Sequence, residues 1–207
     1  LVGSEMCIRD RSESTYIITI DGTSSSGKST ISRLLAKKLD FKLLDSGKLY
    51  RSAGYIACNI YDSLSMIEDY CELVSKISLQ PNNVSNEYEV YYESKIIDSL
   101  LYNENIGVAA SIVSKVPELR NSMYNLQHSC VKGKGLIANG RDMGSEVFKD
   151  APLKIYVTAD IDIRAKRRFE ELINKGDNVL YQDIFNSLKK RDDSDMNRVI
   201  SPLKVPN

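Results

Sequence analysis

Residues Gly22-Thr23-Ser24-Ser25-Ser26-Gly27-Lys28-Ser29-Thr30 carry the most explicit chemistry in the chain. They fit G-x-x-x-x-G-K-[ST], a spacing in which successive backbone N–H groups turn inward and form a nest for an anion. Lys28 adds a full positive charge where β- and γ-phosphates would lie, and the Ser29 hydroxyl is placed to ligate Mg²⁺. All nine residues are therefore expected at a nucleoside triphosphate. Kinases, GTPases, ATPases and motor proteins share such a cradle, so it leaves the acceptor open.

Three further groups bear on the acceptor. "LLDSGKLYR" (43–51) ends an apolar run in Asp45-Ser46-Gly47 and brings Tyr50 and Arg51 one helical turn later. A small turn followed by an aromatic and an arginine suits a second anionic ligand, although an ordinary β–α connection would read the same way. "NGRDMG" (139–144) puts Arg141 and Asp142 between glycines just past a strand, where open α/β sheets bind ligands. In "RAKRR" (164–168), Arg164, Arg167 and Arg168 share one helical face, and "KKRDDSDMNR" (189–198) interleaves Arg191, Asp195 and Arg198. A charge run is commonly a solvated face. Beside a triphosphate cradle, mobile arginines gain a purpose, because two polyanions repel each other and their approach needs neutralising charge.

The elements that must position these residues follow from periodicity. "YIITI" (16–20) is a β-branched buried strand, and from Ser29 onward Ile31, Leu34, Leu35 and Leu39 mark the inner face of a helix. "FKLLD" (41–45), "GLIANGRD" (135–142) and "LKIYVTA" (153–159) are further strands. Helices are expected to about Cys58, over 63–75, from Ile106, from Pro117, from Asp160 or Asp162 to Lys175, and over about 181–192. Strands alternating with helices imply an α/β protein with a parallel sheet. Residues 77–105 break the alternation: "ISL", "YEVYYES" and "KIIDSLL" read as short antiparallel strands of a small insert.

Composition narrows the class. The 28 basic and 28 acidic residues balance, which argues against a coat for nucleic acid or an acidic membrane, and no apolar run reaches the length of a membrane helix. Cys7, Cys58, Cys71 and Cys130 show no metal-ligand spacing and are expected as reduced thiols in a cytoplasmic protein. His128, the only histidine, is expected to be an ordinary helix residue. Residues 1–14 lack strand or helix periodicity and are expected to be foreign to the fold, leaving one domain from residue 15 onward.

The cradle, "LLDSGKLYR", "AASIVSKVPELR", "IANGRDMG", "DAPLKIYV" and "KKRDDSDMNRVISPL" occur in the order and approximate spacing of bacterial cytidylate kinases, which the chain resembles from residue 16 to about 206. The resemblance implies a P-loop-type three-layer sandwich, with 77–105 as a monophosphate-binding insert and a helical lid at about 160–180 bearing Arg164 and Arg168. It places MgATP on Gly22–Thr30 and CMP or dCMP in the facing pocket. By the same resemblance, Ser46, Ser111, Arg120 and Asp142 surround the cytosine and Tyr50 lines its pocket. Arg51, Arg141 and Arg198 hold the acceptor phosphate, and Arg191 and Asp195 lie near the sugar. The catalytic charges would be Lys28, Arg141, Arg198, Arg164 and Arg168, in a monomer that meets only small molecules.

Two departures accompany the resemblance. Thr23 and Ser25 stand where the family often has proline and glycine, and after "SPLKVPN" the family continues with a strand and a helix, so a C-terminal truncation is expected. The rival readings are another small P-loop kinase, acting on a different nucleotide or on shikimate, and a nucleotide-binding module without transfer.

Overall fold

The computed structural model describes residues 15–61 and 67–206. The expected extension at 1–14 and the start of the helix expected from Ser63 lie outside the described residues. Strand β1 (Tyr16–Gly22) runs parallel to both β6 (Gly135–Asn139) and β7 (Leu153–Val157), and β2 (Lys42–Asp45) adds to the far side of β6. The sheet order is therefore β2-β6-β1-β7, the open parallel sheet expected of a P-loop α/β fold.

The strands are short, β1 is rich in β-branched residues, and alternate residues serve opposite faces. Ile18, Ile20, Leu43 and Ile137 pack with Ala36 of α1 (Lys28–Leu39). Leu44, Leu136 and Ala138 pack on the other face with Cys130, Val147 and Phe148. Register decides function here: Ile20 and Asp45 both lie opposite Asn139. The ends of β1, β2 and β6 are thus level, and the three segments that follow them open on one edge of the sheet.

Helix α1 corrects one expectation. Ile31 and Leu34 are 43% and 65% exposed, while Ser32 and Ala36 are buried and Leu35 and Leu39 half-buried. Small side chains let α1 lie close against β6, and the larger aliphatic residues are rotated to its flanks.

Helix α2 (Ser46–Asn59) follows β2 without a loop, because the Asp45 carboxylate caps it by accepting from the Gly47 N–H at 2.9 Å. Helix α3 (Ile67–Ser75) leads to a three-stranded antiparallel sheet of β3 (Ile77–Pro81), β4 (Tyr88–Tyr92) and β5 (Lys95–Ile96). The strand expected over "KIIDSLL" stops after Ile96. Residues Asp98–Tyr102 form a 3₁₀ turn instead, held by the Asp98 carboxylate, which accepts from the Val90 N–H at 2.8 Å. This sheet is tied to both neighbouring helices. Glu87 accepts from Arg33 of α1 at 2.8 Å and from Lys48 of α2 at 2.9 Å, and Lys48 also reaches Asp98 at 2.8 Å.

Helices α4 (Glu104–Val113) and α5 (Pro117–His128) complete the second core with α2, around Leu49, Ile56, Leu101, Leu119 and Met123. Pro117 sits in the first turn of α5, where its missing N–H is harmless. Helix α6 (Ile161–Asn174) is capped by Asp160, which accepts from the Asp162 N–H at 2.9 Å, so Asp160 is the cap. Helix α7 (Tyr181–Asn197) runs one turn beyond the expected end near residue 192, which carries Asp195 onto the helix. His128 behaves as expected, stacked between Tyr124 and Phe148 with ring centroids 4.1 and 4.8 Å away.

The contact of α2 with α4 depends on Gly54. A Cβ there would come within 2.7 Å of the Ile106 carbonyl and 2.8 Å of the Ala110 N, both backbone atoms. Gly54→Ala is expected to lower unfolding free energy by about 1–3 kcal/mol through overpacking, read from urea denaturation.

Candidate active site

The three segments at the sheet edge enclose a cavity of about 290 Å³, lined by residues of all three and closed by α4 and α7. On the phosphate side, Gly27 turns the chain into α1 with φ of 93°. Ser25 also adopts a left-handed conformation, φ 56°, so the unusual residue at this position occupies the backbone region that glycine fills without penalty. Lys28 is buried, and its amino group folds back on the Thr23 carbonyl and the Ser26 hydroxyl. Burial, reinforced by the nearby Arg141 charge, pulls its pKa down to about 6. The hydrogen bonds of this buried lysine go only to neutral groups. The Ser29 hydroxyl accepts from the Asn139 amide at 3.3 Å. Thr30 is exposed and does not line the cavity.

Arg141 joins the two ends of the site. It donates to the Ser24 hydroxyl at 2.8 Å and to the Asp195 carboxylate of α7 at 2.9 Å. Beyond it, Asp142 is 2% exposed, bound by Arg120 and approached by Arg198 at 3.5 Å. The Arg120 guanidinium lies over the Tyr50 ring, 5.5 Å from its centroid. Tyr50, Asp142 and Arg198 line the cavity, whereas Arg120 binds Asp142 from outside it and lines a neighbouring cavity with Tyr50 and Gln127. Burial pulls the Arg198 pKa below its usual value, against the field of Asp142. Ser46 is buried and accepts from the Gln127 amide at 2.9 Å, and Ser111 lines the same wall. Arg51 donates to the Leu101 and Asn103 carbonyls at 2.9 and 3.2 Å, and Arg191 faces it across Gly107.

Arg164 and Arg168 part company. Arg168 pairs with Glu171 at 3.0 Å and lines an adjoining cavity beside Ser24, Arg51 and Arg191. Arg164 is buried in this structure. It is 5% exposed, pairs with Asp192 of α7 at 2.6 Å, and donates to the Ser24 carbonyl at 3.2 Å. Its neighbours on three segments make it a strut between α6, α7 and the phosphate loop.

Four residues of the site escaped the sequence reading. Lys48 was placed only as part of a motif, yet its hydrogen bonds to Asp98 and Glu87 overcome burial and raise its pKa. Gln127 sits four residues after Met123, a spacing that marks it as inward-facing on α5. Asp21 is fully buried and accepts from the Met143 and Gly144 N–H groups at 2.8 and 2.7 Å. Asn139 ends the strand beside β1 and contacts Ser29. The two strand-end residues carry no sequence signal beyond their position.

A family model described as cytidylate kinase matches residues 18–207. The chain belongs to the cytidylate kinase family. The cytidylate kinase of Azotobacter vinelandii (strain DJ) is 37% identical over 191 residues, spanning 91% of this chain and 83% of the relative. That of Caldicellulosiruptor saccharolyticus is 38% identical over 188 residues, with the same two coverages of 91% and 83%. That of Pseudomonas syringae pv. tomato is 39% identical over 190 residues, again across 91% of this chain and 83% of its own. Cytidylate kinase family membership accounts for the order of the motifs along the chain. No described helix is long and apolar enough to cross a membrane, and no described cluster of three His, Cys, Asp or Glu residues could hold a metal ion.

Two outcomes are expected. Ser25→Gly should stabilise the protein by about 0.5–1 kcal/mol in denaturant titrations, since relief of the left-handed strain exceeds the entropy gained by the unfolded chain. For Lys28, the folded-state pKa near 6 lies below its ordinary value of 10.5. The unfolded chain therefore holds the extra proton between these values, and the lysine's contribution to stability rises with pH across that window. A polyphosphate bound beside Lys28 would restore the ammonium. Calorimetry at pH 8 in buffers of different ionisation heat should show uptake of about one proton on nucleotide binding, and Lys28→Met should abolish that uptake.

Proposed function

We propose that this protein transfers the γ-phosphoryl group of MgATP to CMP or dCMP, giving ADP and CDP or dCDP. The observation that carries the reading is the continuity of the cavity. The glycine-rich loop stands at one end and Tyr50, Asp142 and Arg198 at the other, with Arg120 bound to Asp142 and Arg141 hydrogen-bonded to the loop and adjacent in sequence to Asp142. A monophosphate acceptor laid along that line brings its phosphate to the arginines between.

The residues present fit both groups. The buried Lys28, with no carboxylate hydrogen-bonded to it, suits the β- and γ-phosphates, and the Ser29 hydroxyl would hold Mg²⁺. When bound, the metal neutralises phosphate charge. On the acceptor side, Asp142 accepts from the exocyclic amino group of cytosine, with Arg120, Ser46 and Ser111 around the ring. Uracil presents a carbonyl where that amino group was and leaves the carboxylate facing a lone pair, which favours cytosine. Arg51, Arg141 and Arg198 hold the acceptor phosphate, and Arg191 and Asp195 approach the sugar.

No general base is required, because the attacking phosphate oxygen is already ionised near neutral pH. Catalysis is alignment and charge neutralisation. Arg168 serves as the arm of a lid over about 160–180, and Arg164 is the fixed post on which that lid hangs.

A coupled ADP-release assay across CMP, dCMP, UMP, AMP and shikimate tests the reading. Turnover is expected with CMP and dCMP, and Lys28→Met should lower it by about 10²–10³-fold or more. Shikimate-dependent turnover would point to a different kinase, and nucleotide binding without turnover on any acceptor to a non-catalytic module. Either result, or a Lys28→Met variant with the parent rate, would overturn the proposal.

A further inference from the structure

Asn139 presents an unfinished hydrogen-bond account. It is 3% exposed at the end of β6, on the wall of the central cavity. Its amide nitrogen donates to the Ser29 hydroxyl at 3.3 Å, and its carbonyl oxygen has no partner. A buried acceptor without a donor is costly, and one beside the metal-holding hydroxyl asks for a donor that arrives with the ligand.

P-loop enzymes commonly meet the metal from this side with an aspartate. Here each carboxylate lining the cavity already accepts from a protein donor. Asp45 accepts from the Gly47 N–H at 2.9 Å, Asp142 is bound by Arg120, and Asp195 accepts from Arg141 at 2.9 Å. Asp21, at the end of β1, spends one oxygen on the Met143 N–H and the other on the Gly144 N–H. No described acidic cluster could bind a cation by itself.

We propose that Asn139 is the second protein group for the magnesium ion, its carbonyl oxygen accepting a hydrogen bond from a metal-bound water while its amide nitrogen orients Ser29. Mg²⁺ sheds its waters reluctantly, so an outer-sphere amide acceptor suits it. Both protein groups at the metal are neutral. The site therefore acquires useful affinity only when nucleotide phosphates supply the charge, and the metal enters with the nucleotide. This inference rests on the phosphotransfer reading above.

The test separates the two. ATP binding is measured calorimetrically with excess Mg²⁺ and again in EDTA, for the parent protein, Asn139→Ala and Asn139→Asp. Mn²⁺ binding without nucleotide is followed by electron paramagnetic resonance. Asn139→Ala should weaken MgATP about tenfold and leave metal-free ATP within about twofold. Asn139→Asp, nearly identical in shape, should bind Mn²⁺ without nucleotide at concentrations where the parent binds none. Equal weakening of both ATP forms by Asn139→Ala, or no change in either, would overturn the role of Asn139. So would parent protein that binds Mn²⁺ as well as Asn139→Asp does. Parent protein that binds ATP in neither condition would instead overturn the phosphotransfer reading, and this inference with it.

Discussion

A single buried carboxylate holds the two halves of the site together. Asp21 ends β1 just before the phosphate loop, and both its oxygens are engaged by the N–H groups of Met143 and Gly144. Burial pushes its pKa up, while these two backbone donors favour the charged form. The turn bearing Arg141 and Asp142 is thereby fastened to the strand that launches the cradle. From that turn Asp142 meets Arg120 and Arg198, and Arg141 meets Ser24 and Asp195. The glycine-rich loop and the Arg141–Asp142 turn thus share one backbone reference.

The cavity is cationic but not raw. Its arginines arrive already paired with carboxylates or carbonyls, as Arg141 is with Asp195 and Arg51 with Leu101 and Asn103. Such partners hold each guanidinium in place and lower the cost of crowding positive charge before a ligand is present. Lys28, too, is held by neutral groups, a carbonyl and a hydroxyl, and burial takes its pKa to about 6.

Much of this was legible in the chain. The run into Gly22, the cradle and the amphipathic stretch after it announced a strand, an anion nest and a helix, and the level strand ends follow from the parallel fold. The side of α1 that faces the sheet was not legible, because close packing selected Ser32 and Ala36 over Ile31 and Leu34, and hydrophobicity alone points the other way. Arg164 misled for a related reason. An arginine in a charge run has the same sequence signature whether it waves in solvent or is clamped between Asp192 and Ser24. Asp21 and Asn139 owe their roles to partners far along the chain, and no local pattern separates a buried polar residue near a strand end from an exposed one, whereas Gln127 is marked only by its helical spacing from Met123.

The two-sided grip of Glu87 has a mechanical meaning. Arg33 and Lys48 reach one carboxylate from different helices, α1 after the glycine-rich loop and α2 after β2. Lys48 also holds Asp98, Lys42 holds Asn83 and Asn86, and Ile77, Val90 and Tyr92 are buried with residues of α2 and α5. The antiparallel sheet is therefore bonded to the body of the protein at several points, and displacing it would mean breaking ion pairs to both helices as well as opening a core.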